Sequence, residues 1–162
     1  MKRINEWGDS RQLESVPNCT RSLDDLTYRI IGCAMAVHNK LGPGLKESTY
    51  HHGLHYAMTE GGLTCREEVP VEIRLDETGV GLLYLDHLVE DRVVVEDKAL
   101  LHLLTNEETA QLVTYLAATN YPVGLLFNFG RPRLEYKRIY PPKDRTQWGN
   151  RIRRYIWTPR RV

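Results

Sequence analysis

The chain has 162 residues, 41% hydrophobic and 27% charged, enough apolar material for one soluble globular domain with a real core. No run of about 18 apolar residues is present, and the first twenty residues lack the apolar centre of a secretory signal, so no membrane partner is expected and an intracellular, cytoplasmic location is. The formal net charge of +1 hides an asymmetry: residues 131–162 hold eleven Lys or Arg against Glu135 and Asp144, a tail of +9 on a body of −8.

Three cysteines, Cys19, Cys33 and Cys65, are odd in number and widely spaced, which argues against a disulfide framework or a thiolate metal site and reads as reduced packing thiols. In chain order, Ser22 with Asp25 three positions on looks like a helix start. Leu26, Ile30, Cys33, Val37 and Leu41 then give one amphipathic face. Gly42-Pro43-Gly44 breaks that helix, and a second is expected from about Leu45 until Gly61-Gly62. Val69 to Leu75 alternates like a strand, with Pro70 pointing to an edge, and residues 76–79 supply a turn. Two further strands, roughly Gly81 to Val89 and Val93 to Lys98, are close enough in sequence for an antiparallel hairpin. Thr105 and Glu108 resemble a capping box opening a third helix to about Asn120, and Pro122 to Phe129 reads as another strand. The order predicts an α/β or α+β protein, a mixed sheet flanked by helices.

The tail adds Tyr136, Tyr140, Trp148, Tyr155 and Trp157 to its cations, a mixture suited to phosphate contact and base stacking. A solvated terminus that packs a few aromatics back on the body explains the same residues. The segment Val93-Val94-Val95-Glu96-Asp97-Lys98 is the informative one, because a strand buried on both faces runs straight into three charges. A period of two places Glu96 and Lys98 on one face, with Val95 and Asp97 on the other. If Glu90, Asp91 and Arg92 form a three-residue loop, Val89 pairs with Val93 and Asp86 stands opposite Glu96, Cβ atoms about 5 Å apart. A two-residue loop would instead throw the carboxylates onto opposite faces.

Two facing carboxylates repel unless one keeps its proton or a cation neutralises them. Oxygen-only ligands favour Mg²⁺ or Mn²⁺ over zinc. With Lys98 alongside to stabilise developing charge, the set suits phosphodiester hydrolysis by metal-activated water. The bland alternative is a surface hairpin edge with a salt bridge.

At these residues the chain resembles a known family. Asp86 followed by Glu96-Asp97-Lys98 is similar to the signature of the PD-(D/E)XK nuclease superfamily, and Gly44-Leu45-Lys46-Glu47-Ser48-Thr49-Tyr50 resembles the motif of its GxxExxY protein family. "AQLVTYL" around Gln111 and Tyr115, and "GLLFNFG" from Gly124 to Gly130, are similar to that family's segments in the same order. The resemblance covers about residues 25–130 and implies a restriction-endonuclease-like core; the domain is expected over 22–140, between a polar N-terminal extension (1–21) and a basic aromatic tail (141–162). It implies Mg²⁺ or Mn²⁺ held by Asp86, Glu96 and the backbone carbonyl of Asp97, with Glu47 reaching the metal or its water. Lys98 would position the nucleophile, and Gln111 would lie at the site's edge.

Helical spacing puts Glu47 on one face with Tyr50, His51, Leu54 and Met58, so it is expected to point inward, and Gln111 with Tyr115 and Ala118. Tyr50, His51, Tyr115, Arg151, Arg153 and Arg154 are the expected substrate contacts. The expected partner is nucleic acid, DNA ahead of RNA. A homo-oligomer is compatible, since small nucleases of this type can pair to cut two strands. The expected activity is that of a metal-dependent nuclease, and the rival is a non-catalytic nucleic-acid-binding or assembly protein on the same fold.

Three positions depart from the family pattern: Asp97 and His87 stand where apolar residues are usual, and Glu108 where many relatives carry His. In the register above His87 is diagonal to Asp97, roughly 7 Å away, so the first two changes are expected to compensate through a hydrogen bond. His51 and His55 stand at i and i+4, a workable ligand spacing, but His52 replaces the glutamate of a metalloprotease helix. They read as structural or surface histidines, with His51 a phosphate contact near Glu47 as the second reading.

Overall fold

The computed structural model describes residues 22–141. The N-terminal extension, Cys19 and the basic tail with Arg151, Arg153 and Arg154 lie outside the described residues. Helix α1 (Leu23–Leu41) is capped by the Ser22 hydroxyl, which accepts from Asp25 N at 3.0 Å, and it buries Leu26, Ile30, Ala34 and Val37. Gly42 (φ 67°) and Gly44 (φ 101°) take the left-handed backbone needed to reverse the chain into α2 (Glu47–Glu60).

Strands β1 (Cys65–Leu75), β2 (Thr78–Val89) and β3 (Val93–Lys98) form an antiparallel meander. Helix α3 (Asn106–Thr119) then carries the chain to β4 (Val123–Asn128), parallel to β3, and β5 (Glu135–Ile139) closes the far edge antiparallel to β4. The sheet order is β1-β2-β3-β4-β5, mixed as expected, with Pro70 on the edge strand β1. One core joins α1 and α2 to Val89, Val93, Val95, Leu125 and Phe127. The opposite face of the sheet packs Leu88, Val94 and Leu126 against Leu112, Tyr115 and Leu116 of α3. β3 and β4 are therefore covered on both sides, which is why they read as unbroken apolar runs.

The strand β5 is not among the elements expected from the sequence, where its residues read as part of the basic C-terminal stretch. Its Glu135 and Lys137 are spent inside the fold: the Glu135 carboxylate accepts from Leu104 N at 3.1 and 3.0 Å, and Lys137 Nζ donates to the Leu104 carbonyl at 3.3 Å. Asn128 completes this clamp. Fully buried, it accepts from Leu100 N (2.8 Å) and Gly130 N (3.1 Å) and donates to the His102 carbonyl (2.9 Å), fixing the segment that leaves β3 after Lys98. Gly130 is tight for the same reason, since a Cβ there would stand 2.5 Å from the Leu100 carbonyl oxygen. Glu108 has a local task. It accepts from Thr105 N at 2.7 Å to complete the capping box of α3.

Candidate active site

The hairpin register decides the site. Val89 pairs with Val93, Leu88 with Val94 and His87 with Val95, so the connection is the three-residue loop of Glu90, Asp91 and Arg92. Glu90 (φ 53°) and Asp91 (φ 52°) make the reversal, closed by Arg92 N donating to the Val89 carbonyl at 3.0 Å. One step further along, Asp86 and Glu96 come together. Asp86 N lies 3.4 Å from Glu96 Oε1, and Asp97 N donates to Asp86 Oδ2 at 2.8 Å. Lys98 Nζ stands 3.9 Å from Glu96 Oε2 on the same side.

Glu96 is only 2% exposed, and burial, then the Asp86 charge, push its carboxyl well above the usual range. Burial raises Asp86 as well, against the pull of the Asp97 N–H. With Glu96 buried and Asp86 half-buried beside it, the two carboxyls favour either a retained proton or a cation. The sign of the pH effect follows: a raised carboxyl pKa leaves stability fully present below the ordinary glutamate value and loses it as pH rises through the folded-state value. Glu96→Gln removes that penalty. In metal-free buffer the variant is expected to melt above the wild type by a margin that opens as pH rises from about 4.3, the unperturbed glutamate value. Mg²⁺ at about 100 times its Kd should return about 2.7 kcal/mol to the wild type alone. Thermal melts at several pH values, with and without Mg²⁺, check this; a gap that ignores pH would contradict it.

Asp97 behaves oppositely. Burial alone would raise its carboxyl, but hydrogen bonds from His51 and His87 outweigh burial and hold it below the usual range. The expected diagonal bond is present, His87 Nε2 to Asp97 Oδ2 at 2.6 Å, with both residues fully buried. His51 Nδ1 stands 3.3 Å from the same oxygen, and that bond raises the His51 pKa.

The remaining residues are spread around this centre. Glu47 is exposed where an inward acid was expected, because it is the first residue of α2 and the buried face starts at Tyr50. Tyr50 is itself fully buried; its hydroxyl donates to the Gly42 carbonyl (2.5 Å) and accepts from Leu45 N (3.1 Å), and its ring stacks on Phe129 at 4.9 Å. It fastens the glycine turn that starts α2. Gln111 is exposed and donates to the hydroxyl of the largely buried Tyr115 at 2.8 Å, on the α3 side of the sheet. The surroundings of Asp97 on the α2 side, which also gather His55, Cys65 and Glu67, were not foreseen from sequence. Their signal was present as alternation: Cys65 and Glu67 share a strand face, and Glu67 pairs with His87.

Among the described residues no helix is long and apolar enough to cross a membrane. No curated protein matches the chain. A family model described as the PD-(D/E)XK nuclease superfamily matches residues 24–139, from the start of α1 to the last residue of β5. The match takes in the facing Asp86 and Glu96 and the lysine beside them, on the mixed sheet of a restriction-endonuclease-like core, and the chain belongs to the PD-(D/E)XK nuclease superfamily.

Proposed function

We propose that the protein is a nuclease that hydrolyses phosphodiester bonds in DNA with the help of Mg²⁺ or Mn²⁺. The observation that carries this reading is the meeting of Asp86 and Glu96 where β2 and β3 part, with Lys98 3.9 Å from Glu96. The donor set fits a hard cation: two carboxylates that burial disfavours as bare anions, and the neighbouring carbonyl of Asp97, all oxygen. A bound divalent ion would neutralise the pair and supply Lewis-acid activation of water and phosphate.

The chain's own residues do the rest. Asp86 is held in position by the Asp97 N–H, so its carboxylate is oriented before substrate arrives. Lys98 donates to the attacking water or a phosphate oxygen and offsets the charge that grows on phosphorus. Glu47, exposed at the start of α2, meets the water or the ion from the open side. Gln111 and Tyr115 line the edge, and His51 belongs to the wall under α2, while the fully buried Tyr50 offers no surface to a substrate and fastens the turn behind that wall. Arg151, Arg153 and Arg154 grip the phosphate backbone from the tail.

The test is cleavage of plasmid and single-stranded DNA by the purified full-length chain. Nicking or degradation that requires Mg²⁺ or Mn²⁺ and stops on chelation is the expected result. Salt-sensitive binding without cleavage under any metal would replace the proposal by its rival, a binding or assembly protein on this fold. Removal of residues 143–162 is expected to weaken DNA binding and flatten its dependence on salt; every phosphate that the shortened chain leaves unneutralised lowers the slope of log K against log salt by about 0.9. An unchanged slope would exclude the tail from phosphate binding.

A further inference from the structure

On the α2 side of the sheet, away from Lys98 and Glu96, six side chains with metal-binding atoms crowd one place. His51 and His55 come from one face of α2, Cys65 and Glu67 from one face of β1, His87 from β2 and Asp97 from β3. The ligand atoms of His55, Cys65 and His87 all lie within 4.8 Å of one another. We propose that His55, Cys65 and His87 form a second, zinc-class metal site, with Glu67 as the fourth ligand.

The donors are the first argument. Two imidazoles, a thiolate and one carboxylate are the borderline-soft set that takes Zn²⁺ or Co²⁺ and is poorly suited to Mg²⁺. Spacing is the second. Cys65 Sγ is 3.8 Å from His87 Nδ1, close to the roughly 3.6 Å that separates sulfur and nitrogen ligands around tetrahedral zinc. Glu67 Oε2 stands 3.6 Å from His55 Nε2, at the open side of the group.

Orientation is the third. The other nitrogen of His87, Nε2, is bound to Asp97 Oδ2 at 2.6 Å, which leaves Nδ1 on the Cys65 side as a lone-pair donor. A carboxylate behind a histidine in this way fixes the tautomer and strengthens it as a ligand. Finally, the cluster is unsatisfied as it stands. Glu67 Oε1 is buried without a hydrogen-bond partner among the described residues, and His51 Nε2 approaches it only to 3.3 Å without bonding geometry. Buried polar atoms normally have partners, and an ion would supply one. The His51 ring, stacked on His87 at 4.1 Å, closes the site from above.

The experiment titrates the full-length chain with Co²⁺ and then Zn²⁺ in excess Mg²⁺, which occupies oxygen sites. One equivalent of Co²⁺ is expected, with a thiolate-to-cobalt charge-transfer band in the near ultraviolet that Zn²⁺ abolishes by displacement. The band is expected to vanish in Cys65→Ser and to persist in Cys33→Ser and in Glu96→Gln. His55→Ala, at a partly exposed position and checked for folding by circular dichroism, should weaken Zn²⁺ binding by more than the roughly 10–100-fold that loss of an outer partner costs. Absence of the band in the wild type, its survival in Cys65→Ser, or unchanged Zn²⁺ affinity in His55→Ala would each overturn the proposal. Loss of the ion in Glu96→Gln alone would assign it to the carboxylate pair instead.

Discussion

Lys98→Ala is expected to lower the rate of Mg²⁺-dependent DNA cleavage by about 10²–10³-fold, the usual cost of deleting one group that stabilises transition-state charge. The side chain is partly exposed and stands 3.9 Å from Glu96, beyond hydrogen-bond reach, so its loss should cost less stability than breaking a hydrogen-bonded buried pair. Asp86→Asn is the matching change on the other strand. An amide oxygen can still accept the Asp97 N–H that now binds Asp86 Oδ2 at 2.8 Å, so the hairpin geometry survives while the charge is lost. Its expected loss of kcat is at least as large, and excess Mn²⁺ should not restore it. Cleavage at the wild-type rate by a folded Lys98→Ala protein would remove the lysine from the chemistry.

His87→Leu carries the second large effect, this time on stability. It strips Asp97 of its 2.6 Å partner at a position where neither residue is exposed, leaving His51 at 3.3 Å as the remaining cation-capable neighbour. Breaking a buried pair in this way typically costs about 3–5 kcal/mol, because a charge is left without compensation. Joining it to Asp97→Leu replaces both partners by apolar groups and should recover much of the loss. Denaturant melts of the two single variants and the double, in chelator so that no bound metal contributes, measure the coupling. Additive losses would show that the two residues do not depend on each other.

The legible parts of this protein were those set by local rules. The loop of Glu90, Asp91 and Arg92 fixed the pairing of Val89 with Val93, and alternation then placed Asp86 beside Glu96 and His87 diagonal to Asp97. Helix caps at Ser22 and Thr105 were equally local. The strand β5 was not legible, because its sequence Glu-Tyr-Lys-Arg-Ile resembles the basic tail that follows it; only the meeting of Glu135 with Leu104, 31 residues earlier, shows why those charges sit in a sheet. Glu47 misled for another reason. A face inferred from spacing holds in the middle of a helix, but the first residue of α2 precedes the turn that Tyr50 buries. The His55, Cys65 and His87 group was hidden by distance in sequence, since it needs α2 laid over the pairing of β1 with β2.

A crystal of the full-length protein soaked in Mn²⁺ tests the central claim most directly, through the anomalous scattering of the ion. A Mn²⁺ peak within bonding distance of carboxylate oxygens of both Asp86 and Glu96 is expected, with the Asp97 carbonyl completing that side. An Asp86 and Glu96 pair that holds no ion at saturating concentration would contradict it, whatever Mn²⁺ binds elsewhere.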